Sequence, residues 1–143
     1  MAIDACSSTF AEMAKTILPG DMKRLRTALA TPFPMSLFST PGRGVKSILS
    51  ELQRRADFSG CYVLLHGTKA FYVGISRTIV QRLRQQVLGN SHSDASLAYS
   101  MATGKTGHKM KRANAMQEAS FKKAFDEARE ALRDYTVAFH SYR

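Results

Sequence analysis

Residues 60–88 read GCYVLLHGTKAFYVGISRTIVQRLRQQVL, and this stretch decides the fold. An apolar run at 63–65 and a second run at 70–73, rich in aromatic and β-branched types, flank the short polar segment 66–69. This pattern predicts a β-hairpin. Apolar residues at helical spacing follow at Ile79, Val80, Leu83 and Val87. The predicted local architecture is therefore strand, turn, strand and helix.

Two tyrosines, Tyr62 and Tyr72, stand in the two predicted strands. Opposed residues of an antiparallel pair share a face of the sheet, and a slip of one residue moves a side chain to the other face. A three-residue loop from His66 to Thr68 would place Tyr62 opposite Tyr72. A four-residue loop would place them on opposite faces unless a β-bulge intervenes. A site that uses both tyrosines requires the first arrangement or a bulge.

The same stretch resembles the core of the GIY-YIG nuclease superfamily. Gly60-Cys61-Tyr62 stands at the first tripeptide of that family and Tyr72-Val73-Gly74 at the second. Ser76 and then Arg82-Leu83 match the continuation, a helix that carries one active-site arginine. The resemblance implies a metal-dependent endonuclease that hydrolyses DNA phosphodiester bonds with Mg²⁺ or Mn²⁺ as its cofactor.

The resemblance also implies roles for individual residues. Tyr62 would help to activate the attacking water, Tyr72 would support the site by hydrogen bonding, and Arg82 would bind the phosphate. A guanidinium suits that task because its rigid fork matches phosphate oxygens. Gln86 stands where the family often has histidine, and it can form hydrogen bonds but cannot take a proton. We expect the two hydroxyls and the guanidinium to open on one solvent-reachable face.

The metal-binding glutamate of the family lies on a helix after the third strand. The alternating run from Tyr135 to Tyr142 predicts that strand, so the match ends before the glutamate and no metal ligand is assigned. Glu118, Glu127 and Glu130 are the nearest substitutes. For these three glutamates, a solvated helix face with ion pairs is the favoured interpretation.

The charge balance favours a polyanionic partner. The chain carries 21 Lys and Arg against 11 Asp and Glu, a net charge of +10. Duplex DNA is the first expectation and an anionic membrane surface or another partner is a weaker one. The residues expected to contact the nucleic-acid backbone are Arg77, Arg84, Lys105, Lys109, Lys111 and Arg112.

The same composition argues against some protein classes. No apolar run approaches the roughly 20 residues needed to span a bilayer, and no segment clearly shows the basic amphipathic face with exposed large apolar residues that membrane-surface binding needs, so we expect no membrane partner. Two cysteines, Cys6 and Cys61, are too few for a disulfide scaffold or a zinc site, and a cytoplasmic location is predicted.

The predicted fold is α+β, with a small antiparallel sheet of about three strands flanked by helices. Residues 1–56 are expected to form an N-terminal helical extension, and residues 57–143 a GIY-YIG-like core that lacks its last helix. The local predictions are a helix over 8–18 that Pro19-Gly20 stops, a short helix from Asp21, a loop over 31–44, a helix through 45–52, a polar segment over 89–112 and a long helix from Ala113. The alternative function is a non-catalytic nucleic-acid-binding module that keeps this fold without the metal ligand.

Overall fold

The structure, a computed structural model, describes residues 7–141. Its four strands are β1 (Phe33–Pro34), β2 (Gly60–His66), β3 (Lys69–Ser76) and β4 (Thr136–Ser141). They form one antiparallel sheet in the order β1-β4-β2-β3. The predicted α+β fold is confirmed. β1 adds a short strand that the local pattern did not predict.

Helices flank this sheet. They are α1 (Phe10–Glu12), α2 (Leu18–Leu29), α3 (Val45–Glu51), α4 (Ile79–Leu88), α5 (Ser96–Thr106), α6 (Arg112–Gln117) and α7 (Ala119–Leu132). A π-helical stretch, Met13–Ile17, joins α1 to α2, and a 3-10 helix, Met35–Ser39, follows β1.

Helices pack on both faces of the sheet. On one face Tyr62 and Leu64 of β2 enter the main core, which also contains Leu83 of α4 and Phe125 of α7. On the other face Val63 and Leu65 of β2 pack against Leu25 of α2 in a smaller cluster. Each fully buried aliphatic or aromatic side chain stabilises the fold by roughly 1.5–3 kcal/mol. The main core therefore fixes α4 and α7 on the first face.

The helices predicted from hydrophobic periodicity are present. The apolar positions predicted for α4 are all fully buried, as is the central part of α3 at Ile48. The stripe predicted within the long helix is also buried, at Phe121, Ala124, Phe125, Ala128 and Leu132. Local spacing therefore identified the elements that cover the main face of the sheet.

The predicted stop at Pro19-Gly20 is wrong. The chain stays helical from α1 through the π-helical stretch into α2, and the N–H of Leu18 donates to the carbonyl of Met13. A proline is tolerated in the first turn of a helix, and the π-helical turn changes the hydrogen-bond register just before Pro19. The helix therefore needs no break at this proline.

The predicted polar segment 89–112 contains a helix, α5, whose buried residues include Leu97 and two alanines. Small side chains give a weak periodic signal, which explains why the pattern did not predict it. Gly107, with φ of 65°, ends α5 in the left-handed conformation. The long helix predicted from Ala113 is divided at Glu118, whose backbone is extended.

Residues assigned to the N-terminal extension contribute to the sheet. β1 pairs with β4 through Phe33 and Val137, and α2 packs on the second face. In the described range 7–141, no helix combines the length and the apolar character needed to cross a membrane. Cys6 and Tyr142 lie outside that range, so the structure describes β4 only as far as Ser141.

Candidate functional site

A β-bulge places the two tyrosines on one face of the sheet. The hairpin closes with a two-residue turn, and the register shifts between Leu64 and Leu65 so that Phe71 becomes the extra residue of β3. Tyr62 then pairs with Gly74, and Tyr72 pairs with Leu64. The tyrosine rings lie 6.1 Å apart between centroids. Of the two arrangements that the sequence allowed, the structure has the bulge.

Gly74 leaves the space that the Tyr62 ring occupies. A Cβ atom at Gly74 would lie 2.5 Å from the Tyr62 hydroxyl oxygen and 2.7 Å from its Cε1. Gly60 has a related role, because a Cβ there would collide with the carbonyl oxygen of His140 on β4. Glycine is therefore required at both positions, because neighbouring atoms leave no room for a Cβ atom.

Helix α4 brings a cation and an amide to the tyrosines. Arg82 and Gln86 lie one turn apart on this helix, and both act on the Tyr62 hydroxyl. Ser96, the first residue of α5, accepts hydrogen bonds from Arg82 Nη2 at 2.6 Å and from Gln86 Nε2 at 3.4 Å. We name these five residues, Tyr62, Tyr72, Arg82, Gln86 and Ser96, the Tyr62 cluster. It unites the four catalytic residues predicted from the sequence and adds Ser96.

The Arg82 guanidinium is engaged with the segment that precedes α5. Its Nη1 donates to the carbonyl oxygens of Asp94 at 2.9 Å and Ser93 at 3.3 Å, and to Oε1 of Gln85 at 3.2 Å. A guanidinium carries five N–H groups, so these bonds and the bond to Ser96 leave it some donor capacity. Arg82 therefore ties α4 to the start of α5.

Asp57 fixes the N-terminus of α4. One carboxylate oxygen accepts the N–H of Val80 at 2.9 Å, and the other accepts the N–H of Gln81 at 2.9 Å. Thr78, the local N-cap residue, forms no side-chain cap. A carboxylate at this end also interacts favourably with the helix dipole. Asp57 thus positions α4, and with it Arg82, from the chain segment before β2.

Burial distinguishes the two tyrosines. Tyr72 is 36% exposed, whereas Tyr62 is only 1% exposed, so the expectation of a solvent-reachable face is wrong for Tyr62. The reason is its place in the main core beside Leu64. Burial raises the pKa of the Tyr62 hydroxyl and Tyr72 raises it further, although Gln86 and Arg82 act in the opposite direction. The hydroxyl is therefore protonated at neutral pH.

This pKa shift predicts a loss of stability in alkali. Since the pKa of Tyr62 is higher in the folded chain than its ordinary value of 10.0, the unfolded chain releases this proton first as the pH rises. The contribution to stability is complete below about pH 10 and is lost above it. We expect the free energy of unfolding, measured by urea titration, to fall more steeply above about pH 10 in the wild type than in Tyr62→Phe. Equal slopes would contradict this account of Tyr62.

The predicted backbone-contacting residues do not form one continuous row. Arg77 is exposed between β3 and α4, and the half-buried Arg84 donates to the carbonyl of Arg43 at 3.3 Å. Lys105 pairs with Glu127 at 3.0 Å and holds the pKa of that carboxyl below its usual value. Lys109 and Lys111, in the segment between α5 and α6, and Arg112, at the start of α6, are all exposed.

The three candidate glutamates lie outside the Tyr62 cluster. Besides the Lys105 pair of Glu127, Glu130 pairs with Arg133 at 3.1 Å, and Glu118 accepts a hydrogen bond from Ser120. All three are exposed. Ion pairs on an exposed helix face therefore account for Glu127 and Glu130.

The Tyr62 cluster does not fit a divalent cation by itself. Mg²⁺ and Mn²⁺ take oxygen ligands and usually at least one carboxylate, but this cluster contains a guanidinium and no carboxylate. Within residues 7–141 no three His, Cys, Asp or Glu side chains are grouped so that they could hold a metal ion. The hydroxyls, amide and guanidinium of the cluster suit an anion instead.

Two residues of the site, Asp57 and Ser96, were not predicted from the sequence. Asp57 lies far from α4 in sequence, so no N-cap pattern identifies it. Ser96 lies in the predicted polar segment 89–112, where no helix was expected. Comparisons with protein-family models, with curated proteins and with solved structures find no match for this chain.

Proposed function

We propose that this protein acts on duplex DNA as a GIY-YIG-type endonuclease whose hydrolytic activity, with the residues of this chain alone, is weak. The observation that carries the proposal is the Tyr62 cluster. Side chains from β2, β3 and α4 converge there, and Gly74 leaves room for the Tyr62 ring. The net charge of +10 supports a polyanionic substrate.

In this proposal the chain's own residues bind and orient a DNA phosphate. A phosphate oxygen would replace the carbonyl oxygens of Ser93 and Asp94 as the acceptor of the Arg82 N–H groups. Tyr72, a residue that is 36% exposed, would donate a hydrogen bond from its hydroxyl to the same phosphate. Tyr62 and Gln86 would hold Arg82 from the buried side. None of these residues would hold a divalent cation, so the water activation and charge neutralisation that such an ion would supply are not assigned to them.

The second candidate is a non-catalytic DNA-binding module on the same fold. Two observations favour it: the Tyr62 cluster has no carboxylate, and Tyr62 is almost completely buried. Both candidates share DNA binding and differ only in hydrolysis. A binding experiment therefore tests their common part, and a cleavage experiment separates them.

We expect salt-sensitive binding to duplex DNA. Each phosphate contact contributes a slope of about −0.9 to the plot of log binding constant against log salt. The double charge reversal Lys109→Glu with Lys111→Glu should make that slope shallower by the contribution of about two phosphate contacts, because both side chains are exposed. Fluorescence anisotropy with a labelled duplex at several salt concentrations provides the measurement.

The matched control changes the net charge by the same amount elsewhere. Lys15→Glu with Lys23→Glu alters two exposed lysines of the N-terminal helical region and should leave the salt slope closer to the wild-type value. Equal effects of the two double variants would show that overall charge, and not the segment before α6, attracts DNA. No binding of the wild type at low salt would remove both candidate functions.

A further inference from the structure

The outer edge of the sheet at β3 is unpaired within the described range. β3 is the last strand in the order β1-β4-β2-β3, and β2 is its only strand neighbour among residues 7–141. Exposed edges present free backbone N–H and C=O groups, and proteins usually protect them with charges, proline or very short strands. β3 has eight residues, and its interior from Ala70 to Ile75 contains neither charge nor proline. The bulge at Phe71 leaves Tyr72–Ser76 in regular register.

Two apolar side chains line this edge on the face that α2 partly covers. Val73 is 63% exposed and Ile75 is 75% exposed. Their neighbours in β2 are Val63 and Cys61, and Val63 is buried by Leu25 of α2. Helix α2 therefore packs over β2 on this face but leaves the side chains of Val73 and Ile75 in β3 exposed. Clusters of exposed apolar residues of this kind mark interaction sites.

The charges at the ends of β3 indicate the kind of partner. Lys69 begins the strand and Arg77 follows it, and both are exposed. If two copies of the chain paired antiparallel about Val73, Lys69 of one copy would lie opposite Arg77 of the other. Like charges directly opposed destabilise a strand pair, and each copy carries a net charge of +10. An acidic strand would meet opposite charges at both ends.

We infer that the β3 edge is a docking site for an extended segment of an acidic partner protein, which adds a strand beside β3. Main-chain hydrogen bonds to β3 provide affinity in this mode, and alternate side chains provide specificity. β-branched residues of the partner pack on Val73 and Ile75, while carboxylates at the two ends of the segment meet Lys69 and Arg77. The inference rests on the sheet edge, and it shares Arg77 with the residues expected to contact DNA.

The test uses a blocked, fluorescently labelled peptide of alternating threonine and valine with glutamate at both ends. Anisotropy titration with the full chain should show saturable binding. Val73→Lys should weaken it at least about tenfold, because the lysine removes the apolar contact and puts a hydrated charge where a valine of the peptide would pack. Phe10→Lys, which changes an exposed side chain of α1, is the matched control and should bind like the wild type.

Two further peptides make the test specific without any change in the protein. Methylation of alternate backbone nitrogens on one edge should abolish binding, because it removes the donors that pair with β3. Replacement of both terminal glutamates by lysine should weaken binding at least about tenfold. The inference fails if the first peptide does not bind, or if the lysine-ended peptide binds equally well. It also fails if sedimentation shows a dimer of the chain that Val73→Lys dissociates, since a second copy would then cover the edge.

Discussion

In a plasmid-nicking assay with Mg²⁺ or Mn²⁺, we expect the chain to cleave DNA slowly. Its rate should be about a thousandfold below the rate expected if the same site retained a bound metal ion. A bound cation stabilises the charge that develops on the phosphate and the leaving oxygen by several kcal/mol. Loss of about 4 kcal/mol corresponds to about a thousandfold in rate. The Tyr62 cluster supplies no carboxylate that could retain the cation, and Glu127 and Glu130 are paired with cations elsewhere.

Variants of Arg82 decide how any residual nicking is interpreted. Arg82→Ala should abolish it, and Arg82→Lys should restore little of it, because lysine lacks the planar fork of donors. Circular dichroism checks that each variant folds, since Arg82 also ties α4 to the start of α5. Robust metal-dependent nicking that Arg82→Ala abolishes would contradict the expected weakness and show that another carboxylate completes the site. Robust nicking that survives Arg82→Ala would contradict the site itself.

Gly74→Ala should destabilise the fold by about 3 kcal/mol. The new Cβ would meet the Tyr62 ring at distances no real side chain adopts, and the ring cannot withdraw because the main core surrounds it. The free energy of unfolding from urea titration measures the effect. A value within about 0.5 kcal/mol of the wild type would show that the ring relaxes freely and that Gly74 is not required.

Two comparisons separate this clash from a general cost of replacing glycine. Gly104→Ala in α5 adds a Cβ that meets nothing within 4 Å, and it should stabilise the chain by about 0.5–1 kcal/mol because alanine favours helix. Tyr62→Leu combined with Gly74→Ala should cost less than the sum of the two single changes, since the smaller side chain removes the clash. Strict additivity would contradict a direct contact between the two positions.

Much of the fold follows from local sequence periodicity. α3, α4 and the buried stripe of α7 were predictable because their apolar residues recur at helical spacing on the buried side. The hairpin was predictable because two apolar runs flank a short polar turn. β1 was not predictable, because two residues carry no pattern and their partner, β4, is distant in sequence. α5 was missed because alanines form much of its buried face.

The composition of the candidate site was predictable to a similar degree. Tyr62, Tyr72, Arg82 and Gln86 come together as the family resemblance implied, although the register left open whether the two tyrosines share a face. Asp57 and Ser96 act through contacts between distant segments, so no local pattern identifies them. The burial of Tyr62 was also not predictable. Strand alternation indicates on which face of the sheet a residue lies, but it does not indicate how much of the chain covers that face.

The bulge at Phe71 has a consequence for insertions and deletions in this hairpin. Successive side chains of a strand point to alternate faces of the sheet. Tyr62 and Tyr72 therefore share a face only for every second possible number of residues between them, counted with the turn and the bulge. The loss of a single residue is compatible with the site only if it also removes the bulge. Gains or losses of two residues in the turn leave the tyrosines on one face. Length variation among hairpins that conserve this pair should therefore occur mostly in steps of two.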